Sequence, residues 1–544
     1  MTAPAATVTS AAATVVAAGV SAASLSIEEL VELVLERTGE PIDAFGVAAT
    51  LESEGLRDVD ARERFARADV FDLADDVFGA CLQRLAERPP ALSDGPLVTH
   101  GEPPVRRFFR FYGRGVFFAL PILLQVATVV AIRLNHSFTD AEATGVMIGS
   151  ILSFAATGGF SQAIGRLGTT YTSRFAYHLA RDITLRLVRL GIVAAFVVGA
   201  LWWVAALVFH PFPEEVALIG LGYHLVLSWL WLALSVLYML ERRLLVIGMV
   251  VVWLTVFGVL AAVVGVPIEV AQLVGYAAAA TIATVVGRNE LRRLVLQTPP
   301  LAEQERLPRT TVLVYMTAPY FVYGVLYFAM LFADRLIGWS AAPPPSYLVY
   351  FERSYELGLD WALVSLVLTV AMLEYTIHEF SAILQPVQRR YAAHSVREHN
   401  RFFQRFYRRQ LVLFAGIALV SGVATYWAVD GLRSIGSLPA IDGFFASADT
   451  IKVFLVAVVA YTLLGFGLMN AVVLFFLSRP RGATRGLALG LVVTVVIGVA
   501  ASRAFSQWTS AVGLLAGAAA FAAVTAVAAA RVVRRMDYFY YSAY

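Results

Sequence analysis

The chain has 544 residues, 59% of them hydrophobic and only 15% charged, with a mean hydropathy of +0.71. Soluble domains carry about a quarter charged residues, so a soluble globular protein is excluded and an integral membrane protein is expected. Cys81 is the one cysteine, which excludes an intrachain disulfide and a thiolate metal cluster, and the net charge of +3 conceals an acidic N-terminal part followed by a basic remainder.

Residues 1–25, rich in Ala, Thr and Val and without the basic n-region of a signal peptide, are expected to form a disordered tail. Residues 26–89 read as a small helical cytoplasmic domain with sixteen acids and seven arginines. Ser26 with Glu29 suits a capping box opening "SIEELVELVLERTG", and Gly39 stands where that helix would close. "PIDAFGVAATLESEG" and "DVFDLADDVFGACLQRLAER" repeat the amphipathic pattern. So acidic a surface suits docking to another protein rather than to anionic lipid, because like charges repel. Residues 90–114 follow as a linker and a basic juxtamembrane segment, "VRRFFRFYGRG".

About twenty residues cross a bilayer core, and twelve apolar segments are long enough: 115–132, 144–164, 191–209, 216–239, 244–265, 268–286, 311–332, 355–378, 411–429, 453–477, 486–502 and 509–530. Outside the N-terminal domain, alternate loops and the C-terminus hold 29 of the basic residues and the opposite loops hold six. By the positive-inside rule both termini are cytoplasmic. The expected fold is therefore all-α and polytopic, with about twelve transmembrane helices in two six-helix lobes, 115–286 and 311–530. A charged cytoplasmic linker, 287–310, divides them, and 531–544 is a cytoplasmic tail. Each lobe opens on a span interrupted early by proline (Pro121, Pro319), and interrupted helices at matching places point to a binding site between repeats.

Ionisable residues inside spans are expensive and face a cavity, a partner or the interface. In span 8, steps of three and four from Asp360 give Val364, Val367, Ala371, Glu374, His378, Ser381 and Gln385 on one face, expected to line a passage or the seam between lobes. The remaining faces, Leu366 among them, are expected to meet lipid. Glu374 and His378 also suit a plain i, i+4 pair at the headgroup level. In span 7, Tyr320, Tyr323 and Tyr327 share a face that Asp334 continues, beside Arg335. Aromatic rings ending in a carboxylate suit a sugar; tyrosines in a span also serve as interface anchors. Arg133, closing span 1, either meets an anionic headgroup or snorkels to water. No H-E-x-x-H or comparable cluster suggests a metal, and no cofactor is expected.

Two lobes of six spans with cytoplasmic termini resemble the multidrug/oligosaccharidyl-lipid/polysaccharide flippase superfamily. Within it, "RFYGRGVFFALPILLQ" (110–125), "SFAATGGFSQAIGRLGTTYTSRF" (153–175) and the stretch 332–380, from "FADRLIGWS" to "AMLEYTIHEF", are similar to segments of the PelG proteins of Pel exopolysaccharide export. The family's glycine-rich, glutamate-containing N-terminal signature is missing, and residues 26–89 are additional. The resemblance implies a bacterial inner-membrane transporter, not an enzyme, that exports or flips a polysaccharide or lipid-linked oligosaccharide by rocking of two lobes, with Asp334 and Glu374 at family positions. A cytoplasmic glycosyltransferase is the implied partner, besides the lipid bilayer and the sugar substrate; nucleic acid is not. A membrane scaffold recruiting a polysaccharide synthase, and a membrane-embedded glycosyltransferase using Asp140 and Glu142, are the alternatives.

Overall fold

The computed structural model describes residues 25–38, 41, 43–87, 103, 105–116, 139–296, 307–341, 349–390 (385–390 as backbone only), 396–433, 445 and 447–541. The tail 1–25 save Leu25, Gly39, most of the 90–104 linker, nearly all of span 1 with Pro121 and Arg133, and much of the 287–310 linker lie outside them. Among the described residues there is no strand. The chain divides into two compact units: residues 1–103 with 378–406 and 534–538, and the rest.

The N-terminal part of the first unit folds as four helices, α1 (Ile27–Thr38), α2 (Ala44–Ser53), α3 (Asp58–Phe65) and α4 (Val70–Glu87). Their apolar stripes close on a core of Leu30, Val34, Val47, Leu51, Leu73, Val77 and Cys81. Burial pushes the Cys81 thiol up to about 11, so it packs as a small hydrophobe. The expected capping box is present: the Ser26 N–H donates to Glu29 Oε2 at 2.7 Å and the Glu29 N–H to Ser26 Oγ at 3.3 Å. Both orphan donors at the start of α1 are thereby satisfied.

The second unit begins with a basic helix over residues 105–116, α5. Then come α6 (Asp140–Ser173), α7 (Tyr177–Phe209), α8 (Glu214–Met239), α9 (Arg243–Gly258), α10 (Ile268–Leu296), α11 (Thr310–Trp339), α12 (Arg353–Arg390), α13 (Val396–Arg433), α14 (Ala448–Phe476), α15 (Pro480–Ala504) and α16 (Ser510–Arg534), with a short α17 (Met536–Tyr541). The ends of α12 and α13 nearest to each other, with 534–538, belong to the first unit. Eleven of these helices are long and apolar enough to cross a membrane, and they coincide with expected spans 2–12. A helix satisfies its own backbone groups where water is absent, which is why spans take this form. α9 ends in a π-helical turn, Val259–Val264, closed by Gly265 at φ 77°.

Pro319 does not interrupt span 7 as expected: α11 runs unbroken from Thr310 to Trp339. Proline removes one backbone donor, which a membrane helix packed on neighbours tolerates; the Pro319 carbonyl itself accepts from Thr484 Oγ1 at 3.3 Å. Leu366, expected at the lipid, is instead 5% exposed. α12 is the most deeply buried of the eleven spans, so helices cover several of its faces. Gly115 of α5 covers one of them, where a Cβ would stand 2.4 Å from the Ala371 carbonyl oxygen. Tyr112 donates to the Leu368 carbonyl at 2.9 Å beside it.

The N-half of the membrane helices (α5–α10) and the C-half (α11–α16) meet along α6 and α11. A Cβ on Gly324 would lie 2.4 Å from the Gly158 carbonyl oxygen, and one on Gly159 would lie 2.7 Å from the Phe321 ring. Small residues let membrane helices approach this closely. Phe154 of α6 stacks on Trp231 of α8 at 4.7 Å and on Phe328 of α11 at 4.8 Å.

The caps of the N-terminal helices generate a pH prediction. The Ser26 backbone and then its hydroxyl hold the Glu29 carboxyl below its ordinary range, and the Arg57 side chain and then its backbone do the same for Asp60. Both folded-state values are depressed, so their stabilisation is present above the unfolded values and lost as pH falls through the folded ones. Amide protection at the starts of α1 and α3 is expected to hold at neutral pH and to fall below about pH 4, read by hydrogen exchange. Unchanged protection down to pH 3 would contradict this account.

Candidate functional site

α11 carries Asp334 and Arg335 near its C-terminal end, and α12 carries Tyr355, Glu356 and Asp360 near its start. These two helix ends meet. Arg335, 4% exposed, pairs with Glu356 and lies 3.5 Å from Asp360 Oδ1. The Trp339 indole N–H donates to the other Glu356 oxygen at 3.0 Å, and the Tyr355 hydroxyl donates to Asp334 Oδ2 at 2.9 Å. Tyr461 of α14 stands against the guanidinium. The second oxygen of Asp334 is buried without a hydrogen-bond partner.

Two carboxylates, Glu356 and Asp360, thus share one guanidinium inside apolar walls, with Asp334 beside them. A buried charge is tolerated only when paired and hydrogen-bonded, and Arg suits the role because its planar fork serves several acceptors at once. Asp360, with its side chain 37% exposed, is the member that solvent or a solute can reach. Of the residues expected from sequence, Asp334, Arg335 and Asp360 come together here. Glu356, Trp339, Tyr355 and Tyr461 were not expected; a backward step of four from Asp360 on the same helical face gives Glu356.

Glu374 stands elsewhere: Arg243, at the start of α9, donates to its Oε1 at 2.8 Å. His378, one turn further, is half-buried. The tyrosines of α11 divide between two neighbours. Tyr320 and Tyr323 pack on Phe475 of α14 at 5.4 and 4.8 Å, while Tyr327 meets Phe328 edge-on at 5.1 Å. The Arg166 guanidinium lies 5.1 Å above the Tyr320 ring, a cation–π contact across the halves. Among the described residues no cluster of His, Cys, Asp and Glu has the geometry of a metal site.

No protein-family model matches the chain, and no curated protein does. Solved structures do. An outward-facing multidrug resistance MATE family transporter of the MOP superfamily aligns with a TM-score of 0.52 and 13% identity, covering 80% of this chain and 97% of that one. A MATE protein in the straight conformation gives 0.52 and 13%, covering 80% and 98%. The eukaryotic MATE transporter AtDTX14 gives 0.51 and 10%, covering 79% and 98%. The chain therefore has the MATE-type helical fold over about four-fifths of its length.

The Arg335 cluster gives a stability prediction. Breaking a buried pair by removing one partner costs about 3–5 kcal/mol. Arg335→Met is expected to lower the melting temperature in detergent sharply, and Asp360→Asn, partly exposed and more distant, only slightly. Equal effects of the two substitutions would mean that the cluster is not held by the Arg335–Glu356 pair.

Proposed function

We propose that the chain is a multi-pass transporter of a bacterial inner membrane that exports or flips a polysaccharide or a lipid-linked oligosaccharide by rocking of two six-helix lobes. It is not an enzyme in this reading. The observation that carries it is the fold, shared over four-fifths of the chain with MATE transporters at 10–13% identity. Its support includes an interface between halves made of glycine backbone, stacked rings and separable polar pairs, the kind of contact that can be remade. The basic-residue bias supports cytoplasmic termini, and the PelG-like segments support a carbohydrate cargo. Arg166 with Tyr320, Glu374 with Arg243, and the reachable Asp360 are the groups of the two halves available to a sugar and its anionic carrier.

The N-terminal domain supports a second, compatible role in recruiting a cytoplasmic glycosyltransferase. It has its own core, a net charge of −9 over residues 26–89, and an exposed pair of rings, Phe45 and Phe71, at 5.9 Å.

Cells lacking the chain are expected to lose surface polysaccharide while lipid-linked or polymeric sugar accumulates inside, measured by fractionated sugar analysis. Cells expressing residues 90–544 are expected to keep export while co-purification of the glycosyltransferase is lost. Sugar absent from both compartments in the null strain would favour a scaffold of synthesis over a transporter.

A further inference from the structure

Two ion pairs join the halves among the described residues, and they stand at opposite ends of the spans. At the basic end Arg243 of α9 pairs with Glu374 of α12 at 2.8 Å, with side chains 26% and 23% exposed. Arg166 donates to Ser478 Oγ at 3.3 Å at that same end. At the other end Arg353, the first residue of α12, pairs with Asp140 of α6 at 2.8 Å, with side chains 57% and 41% exposed. Beside it the Phe351 N–H donates to Thr144 Oγ1 at 3.1 Å.

Resting on the transporter reading above, we infer that Arg243–Glu374 and Asp140–Arg353 are opposing latches, each closing one end of the interface between the halves and each opening while the other holds. α12 contributes a member to both. Arg353 and Glu374 are 21 residues apart on one unbroken helix, about 32 Å at 1.5 Å per residue, which matches the hydrocarbon core of about 30 Å. A stiff rod held at both ends behaves as a lever. Tilting it together with α11 about the glycine seam between α6 and α11 separates one pair and preserves the other.

The close approach of Gly158 to Gly324 lies between the two ends and supplies that fulcrum, while Gly115 meets Ala371 at the basic end, less than one turn from Glu374. The pairs also have opposite polarity on α12, arginine at one end and glutamate at the other, so sliding the helix cannot exchange partners. Their burial differs as well. The Asp140–Arg353 pair is more screened by water and so holds less strongly than the half-buried Arg243–Glu374 pair. The end carrying Asp140 is therefore the one that opens first from the doubly latched arrangement.

The test uses the full chain with Cys81→Ser, reconstituted in lipid, with spin labels on introduced cysteines and no cargo. One label pair, Leu244→Cys with Val412→Cys, spans the basic end; another, Phe209→Cys with Phe505→Cys, spans the opposite end. Adding Glu374→Gln is expected to shift most of the basic-end distance distribution to longer values and leave the opposite end closed. Asp140→Asn is expected to do the reverse. The exchanged pair Arg243→Glu with Glu374→Arg is expected to restore the short basic-end distance, which a merely destabilised protein would not do. A basic-end distribution unmoved by Glu374→Gln, or not restored by the exchange, overturns the latches. Distances that stay single-valued at both ends even in Glu374→Gln with Asp140→Asn would overturn the transporter reading itself.

Discussion

Two membrane helices, α6 and α11, meet backbone to backbone at Gly158 and Gly324, with the rings of Phe321 and Phe328 seated on the glycines of α6, and the rest of the arrangement is conditioned by that. A Cβ on Gly158 would come within 2.3 Å of the Phe328 ring, and one on Gly324 within 2.4 Å of the Gly158 carbonyl. In a bilayer, lipid tails are as apolar as leucine, so association relies on packing of this kind rather than on a hydrophobic driving force. Backbone contact of this sort fixes distance well and orientation poorly. Orientation falls to the groups at the rims and centre: the Phe154 ring stack, Arg166 over Tyr320, and the two charged pairs.

The C-half has a fixed corner to set against that adjustable seam. Arg335, Glu356 and Trp339 tie the end of α11 to the start of α12, with Tyr355 and Asp334 bonded beside them. Separating a buried pair strands a charge, so α11 and α12 move as one piece at this end. The two carboxylates that a helical projection sets on one stripe thereby belong to different systems. Asp360 completes an internal cluster, and Glu374 reaches the other half. The exposed pair at Arg353 contributes little to folding stability, about 0–1 kcal/mol by the usual measure, which suits a contact that forms and breaks.

Much of the fold was legible because bilayer physics is simple. Apolar length and arginine distribution sufficed for eleven spans now described as helices, and Ser26 and Glu29 form the cap their spacing suggested. What escaped the sequence was tertiary. Pro319 looks like a helix breaker, but packing on both sides carries α11 through it. Leu366 looks lipid-facing, but α12 is enclosed, and enclosure is a property of the bundle rather than of the segment. The acid and base of the Arg335 cluster were half visible, since Asp334, Arg335 and Asp360 are polar in an apolar context. Glu356 sits at a span boundary, where a carboxylate usually means water. Arg243 looked like one more cytoplasmic arginine, and nothing local marks it as the partner of Glu374, 131 residues away.

The central claim is that the halves turn against each other about the glycine seam, and crosslinking tests it most directly. With Cys81 replaced by serine, one cysteine pair at Thr144 and Phe351 bridges the halves, where the Phe351 backbone N–H lies 3.1 Å from Thr144 Oγ1. A control pair at Ser161 and Ser235, whose hydroxyls are 2.8 Å apart, lies within the N-half. Oxidation of the first pair is predicted to stop export of surface polysaccharide until a reductant is added, while oxidation of the control pair leaves export unchanged. Export at full rate with the halves crosslinked would contradict the account.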